Sequence, residues 1–178
     1  MTGLQRGTVK LMEHQSVWKI EAEQTIAELK KLLDDVAVDI QHIGSTAIPL
    51  IHAKPIIDIA VGVHDLSDIK PYAEALRNSR YVFRGEDVPG QTLFVKGDFG
   101  RDIRTHHIHV VEWNGIAWNN YIDFRDYLNA FPEKAKAYDT RKLDLAERFP
   151  RDRGSYTQGK QRLVSQLIEE ARKWKSRK

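Results

Sequence analysis

The sequence has no cysteine, only two methionines among 178 residues, and no apolar run approaching the roughly 20 residues that span a bilayer. Without cysteine, disulfides and thiolate metal sites are excluded, which leaves His, Asp and Glu as the strong metal ligands. The N-terminus lacks the shape of a secretory leader, so a cytoplasmic location is the expectation, with no membrane as partner. There is also little net charge, +3 overall, yet acids and bases are unevenly spread. The closing ARKWKSRK is strongly basic and reads as a solvated, frayed tail rather than a nucleic-acid contact. The four tryptophans, Trp18, Trp113, Trp118 and Trp174, fit core or helix packing and not base stacking, so nucleic acid is not an expected partner. What remains is ordinary for a globular chain, 41% hydrophobic and 30% charged, which excludes disorder and fits a single domain over 1–178.

Against this background one stretch stands out, Ile40 to Val63, reading IQHIGSTAIPLIHAKPIIDIAVGV. An apolar strand runs into Gly44-Ser45-Thr46, then a connector with Pro49 and Pro55, then a second apolar run holding one acid, Asp58. A Gly-Ser turn leaving a strand presents N–H groups and a hydroxyl, which suits phosphate; it equally suits an ordinary turn in which Ser or Thr caps a helix. A lone acid in an apolar strand needs a metal, a proton or a partner. Period two puts Ile57, Ile59, Val61 and Val63 on one side and Ile56, Asp58, Ala60 and Gly62 on the other, which leaves space over Asp58 for a ligand. The alternative is an Asp58 paired with a buried arginine or backbone amides.

Elsewhere the pattern alternates between periods. Val17, Ile20, Ala22, Ile26, Leu29 and Leu33 predict a helix capped by Ser16 and ended by Asp34-Asp35, followed by a strand through Val36, Val38 and Ile40. A helix over 68–80 tolerates Pro71 in its first turn, 81–84 is a short strand, and 86–90 is turn material. Strands over 92–96 and 104–112 form a near-hairpin through Gly97-Asp98-Phe99-Gly100. Helices over 119–131, 133–149 and 157–175 follow, punctuated by Pro132 and Pro150. The expected fold class is α+β, a mixed sheet packed by helices with a helical C-terminal third.

On the strand over 104–112, His107 and His109 share a face and His106 points the other way. If that face is also Asp58's, one carboxylate and two imidazoles form a set suited to Zn, Mn or Fe rather than Mg. The alternative places both rings in hydrogen bonds within the sheet or beside a bound phosphate. His42, just before the Gly-Ser turn, reads as support behind a ligand. Lys54, Arg101, Arg104 and Lys160 are the candidate anion partners, and Arg125 beside Asp126 reads as a structural ion pair.

HIGSTAIP followed by AKPIIDIAV, with HHIHVV, FRDYL and YTQGK further on, resembles the GrpB-like proteins of the nucleotidyltransferase superfamily, whose fold is polymerase-β-like. These pieces span nearly the whole chain. The resemblance implies a site with Gly44, Ser45 and Thr46 at the phosphates of a nucleotide or another phosphorylated small molecule. It also implies a divalent metal, Mg or Mn with Zn as a further candidate, at Asp58, where the superfamily's paired acids hold two ions. Two positions depart from the pattern: Ala60 stands where the second acid is expected, and Leu50 where relatives carry Gly. Three functions therefore stay open: nucleotidyl transfer, a non-catalytic ligand-binding or accessory module, and a single-metal hydrolase using the His pair.

Overall fold

A computed structural model describes residues 2–177, the Asp87 side chain excepted. Its centre is β3, Ile57–Val63, buried at almost every position because β-branched side chains stand on one face and small ones on the other. On one side it pairs antiparallel with β2, Asp39–Ile43, and on the other parallel with β6, Ile103–Glu112. Beyond β6 come β5, Gln91–Asp98, and β4, Val82–Val88, both antiparallel, giving the order β2-β3-β6-β5-β4. A two-residue strand, β1 (Leu4–Gln5), pairs with the start of β6.

One face of the sheet is covered by α1, Val17–Leu33, which buries Trp18, Ala22, Thr25, Leu29 and Leu33 against Ile57, Ile59, Val61, Ile108 and Val110. Each of the leucines, isoleucines and valines contributes about 1.5–3 kcal/mol when fully buried. The helical period is as expected but the stripe is rotated: Val17 and Ile20 are exposed, and Trp18 and Thr25 take the inward positions. Ser16 has helical backbone angles and makes no side-chain cap, so the expected N-cap is absent. The other face carries α3, Ile116–Ala130, α4, Pro132–Arg148, and α5, Arg153–Lys175. Pro132 opens α4 at a position where its missing N–H costs nothing.

Three further boundaries differ from expectation. Residues 34–36 form a 3-10 turn, so β2 begins only at Asp39. Residues 66–72 wind as a 3-10 segment boxed by Asp65 and Asp68 around Pro71, which leaves α2 as the short Ala73–Asn78. The turn expected over 86–90 narrows to Pro89-Gly90 because cross-strand pairing with β5 carries β4 through to Val88. Nor is the basic tail frayed: α5 runs to Lys175, whose Nζ lies 2.9 Å from the buried Asp123, while Arg172 donates to Asn120. Trp113, expected inside, is 44% exposed. No helix among the described residues is long and apolar enough to cross a membrane. The result is an α+β fold in which a Gly-Ser turn and an acid-bearing strand lie side by side, as the family resemblance implied.

Candidate functional site

The site begins where β2 stops. Ile43 pairs with Asp58, and the next residue, Gly44, turns the chain at φ +70° into a 3-10 turn over Ser45–Ala47. A Cβ on Gly44 would sit 2.6 Å from an Asp58 carboxylate oxygen, so two constraints require glycine: the left-handed φ and the close approach to the acid. On the far side of β3 the parallel register sets His107 beside Asp58 and His109 beside Ala60. His107 Nδ1 lies 3.1 Å and His109 Nε2 3.4 Å from the same Asp58 oxygen. No arginine among the described residues pairs with the acid. Burial opposes its ionisation, but the two histidine contacts outweigh that and hold the carboxyl well below its usual range.

This group fits a metal. One ligand atom from each of Asp58, His107 and His109 lies within 4.8 Å of the others, and a carboxylate with two imidazoles is a set for Zn, Mn or Fe rather than Mg. The imidazole is braced from behind: Tyr121 donates its hydroxyl hydrogen to Gln91, and its oxygen lies 3.5 Å from His109 Nδ1. With Nδ1 donating to that oxygen, the Nε2 lone pair would be available to an ion in place of its present contact with Asp58. Room for a second ion is missing. Ala60 is fully buried with Ile43, Val111 and Trp118, and Trp118 of α3 closes the space over the position where a second acid is expected.

Over Asp58 the opposite holds. A cavity of about 230 Å³ is lined by Ser45, Thr46, Asp58 and His107 from the sheet side and by Lys54, Lys142, Arg153, Tyr156 and Lys160. Lys142 is 1% exposed; its Nζ donates to the His52 carbonyl, lies 3.3 Å from Ser45 Oγ and 3.7 Å from Asp139. Burial, offset in part by Asp139, pushes its pKa down to about 7. Lys54 is lowered to about 8, first by burial and then by Lys160 and Arg153. The Tyr156 ring stands between Lys54 and Lys160, 4.3 and 5.2 Å from its centroid. The lining therefore carries more positive than negative charge.

The expected site residues divide clearly. Gly44, Ser45, Thr46, Lys54, Asp58, His107, His109 and Lys160 are brought together. Arg101 is not: it sits on the β5–β6 turn, 79% exposed and 3.5 Å from Asp98, because that hairpin projects away from the cavity. Arg104 reaches only a smaller neighbouring cavity, with Asp102 at 2.9 Å and Phe99 under its guanidinium. His42 pairs with Ile59 and so faces α1; its ring meets the site only through Thr46 Oγ1, at 2.9 Å, and burial lowers its pKa to about 4. Arg125 is structural as expected, binding Asp126, Gln41 and the His42 carbonyl. Sequence reading missed Lys142, Arg153 and Tyr156. The signal was helical: Lys142 falls on the buried stripe Ala135, Tyr138, Leu145, and Arg153, Tyr156, Thr157 and Lys160 share one helix face.

A turn that brings backbone against an acid on the next strand, beneath a cation-lined cavity, belongs to a nucleotidyltransferase-like fold. Residues 8–170 match the family described as GrpB protein, and the chain belongs to that family. It is 40% identical over 173 residues to the glutamate-rich protein GrpB of Alkalihalophilus pseudofirmus, covering 96% of this chain and 99% of that one. The crystal structure of conserved protein GrpB from Enterococcus faecalis superposes at a TM-score of 0.83 with 29% identity, covering 91% of this chain and 96% of that chain. A distant, partial likeness is to a cytoplasmic RNA terminal U-transferase, at a TM-score of 0.47 and 13% identity over 74% of this chain and 43% of that chain.

Proposed function

We propose that this protein binds a nucleotide or another phosphorylated small molecule together with one divalent metal ion, and transfers a nucleotidyl group to a hydroxyl or amine. The observation that carries this reading is Lys142, a buried lysine set 3.3 Å from the Ser45 hydroxyl in the cavity that also holds Asp58. Burying a cation is costly, and the position makes sense where an anion arrives to share its charge. Ser45, Lys142 and Lys160 hold the donor's phosphates, with Lys54 and Arg153 adding charge. Asp58, His107 and His109 would hold the ion, and their chemistry favours Mn or Zn. When bound, a divalent ion supplies neutralisation of phosphate charge and acidifies an attacking hydroxyl. In the transfer the acceptor oxygen bonds the α-phosphorus, the bond to pyrophosphate breaks with its electron pair leaving on pyrophosphate, and the acceptor proton passes to water.

Ala60 favours a second reading, a ligand-binding module without turnover, since one carboxylate cannot hold two ions roughly 4 Å apart. Thermal shift with ATP, GTP, CTP and UTP, each with Mg²⁺, Mn²⁺ or Zn²⁺, tests binding, because a ligand selective for the native state raises its melting temperature. A rise with at least one pair is expected; no rise across the panel overturns both readings. Pyrophosphate release on an acceptor screen, lost in Asp58→Ala, supports transfer, and binding without release supports the module. Phosphate release without acceptor, with stoichiometric zinc lost in His107→Ala, would instead identify a single-metal hydrolase.

A further inference from the structure

A smaller cavity, about 50 Å³, adjoins the first, and Lys54, Ile56, His107 and Arg153 line both spaces. It exists because β1 pairs with the start of β6, Leu4 against Arg104, and this carries Arg6 to the same edge. Thr105 is the extra residue of a bulge between the Lys96–His106 and Gly97–Arg104 pairs, which resets the alternation so that Arg104 and His107 line one space. Arg104 is oriented there by Asp102 at 2.9 Å and by stacking on Phe99, with its side chain 11% exposed. Arg6 and Arg153 make no ion pair among the described residues. Four cations, Arg6, Lys54, Arg104 and Arg153, thus line a space the size of one small anion, and Asp102 pairs with Arg104 alone of them.

The order of groups is what gives this cavity a role. Ser45, Lys142 and Lys160 line only the larger space, Arg6 and Arg104 only the smaller, and His107 stands at the boundary with Asp58 behind it. The acid–histidine group therefore lies where two positive seats adjoin, with Lys54 and Arg153 common to both. We propose that the smaller cavity is a second anion seat, which holds a phosphate group carried by the acceptor while the donor's phosphates occupy the Ser45–Lys142 seat. Guanidiniums present paired donors suited to phosphate oxygens, and a dianion answers this charge better than a single carboxylate. This assignment of the acceptor's chemistry rests on the transfer reading above.

The test uses inorganic triphosphate with Mn²⁺ as the donor-seat probe and inorganic phosphate as the acceptor-seat probe, on the full chain followed by ³¹P NMR and thermal shift. With triphosphate saturating, phosphate still binds the native chain, and affinity falls about tenfold or more in Arg104→Gln and in Arg6→Gln. Ser45→Ala leaves that phosphate binding unchanged while weakening triphosphate. Arg6 is exposed, so its variant separates lost binding from lost folding should Arg104→Gln be unstable. Exclusion of phosphate by triphosphate, or phosphate binding indifferent to both arginines, overturns the second seat. Absence of triphosphate binding with arginine-dependent phosphate binding intact would sink the donor reading alone, so the two failures are distinguishable.

Discussion

Asp58 and Ala60 are two residues apart on one strand and one face, yet their surroundings are opposite. Above Ala60, Trp118 packs with Ile43 and Val111 and excludes water. Above Asp58, helices α4 and α5 bring lysines and an arginine to a cavity that opens to solvent. The strand supplies both positions on equal terms; the helices laid across it decide that one is core and the other a site. Where the resemblance implies a second acid, alanine stands and the helix closes over it, while His109 opposite Ala60 brings an imidazole to Asp58.

The sharpest way to break the contrast is Ala60→Asp. A carboxylate entering the Ile43–Val111–Trp118 cluster is expected to destabilise the protein by about 2–4 kcal/mol in urea unfolding, with Mn²⁺ giving no recovery beyond that of the native chain. Recovery by Mn²⁺ would show that the covered end can still become a two-acid centre. Next in size is Lys142→Met, which sharpens the open end. Asp139 keeps its bonds from His52 N and Nδ1, so no charge is stranded, and the variant is expected to be roughly 1–3 kcal/mol more stable at pH 7 while losing triphosphate binding. The sign with pH follows from a folded pKa near 7 against about 10.4 unfolded. Between those values the unfolded chain holds a proton that the native chain has released, so native stability relative to the variant climbs from pH 7 to about 10.4 and is level outside that window. A pH-independent difference would show that Lys142 stays charged. Smallest is Arg101→Ala, at the exposed hairpin: stability within about 0.5 kcal/mol and unchanged nucleotide affinity are expected, and a clear loss of affinity would return that arginine to the site.

Much of the centre was legible. Period two on β3 separated Asp58 from the Ile57–Val63 core face, and the His-x-His spacing put His107 and His109 on one side, because alternation is a property of any strand. The glycine was legible as a turn but not as a contact, since nothing linear says that Asp58 comes within 2.6 Å of a Cβ at position 44. The capping role expected of Ser16 failed for a similar reason: residue type favours it, but the entering backbone took helical angles. Arg101 was misjudged because nearness in sequence to His107 says nothing about which way a hairpin projects.

By itself the sequence determined that a two-faced strand carries one acid, that a glycine-serine turn precedes it, and that a histidine pair follows on another strand. These are local facts, written in spacing. Only tertiary structure decided that the histidine strand lies parallel beside the acid, that Lys142 reaches Ser45 across 97 residues, and that Trp118 covers one position and not its neighbour. Register and helix docking are settled by how whole faces bury each other, an energy summed over many side chains that no short motif contains.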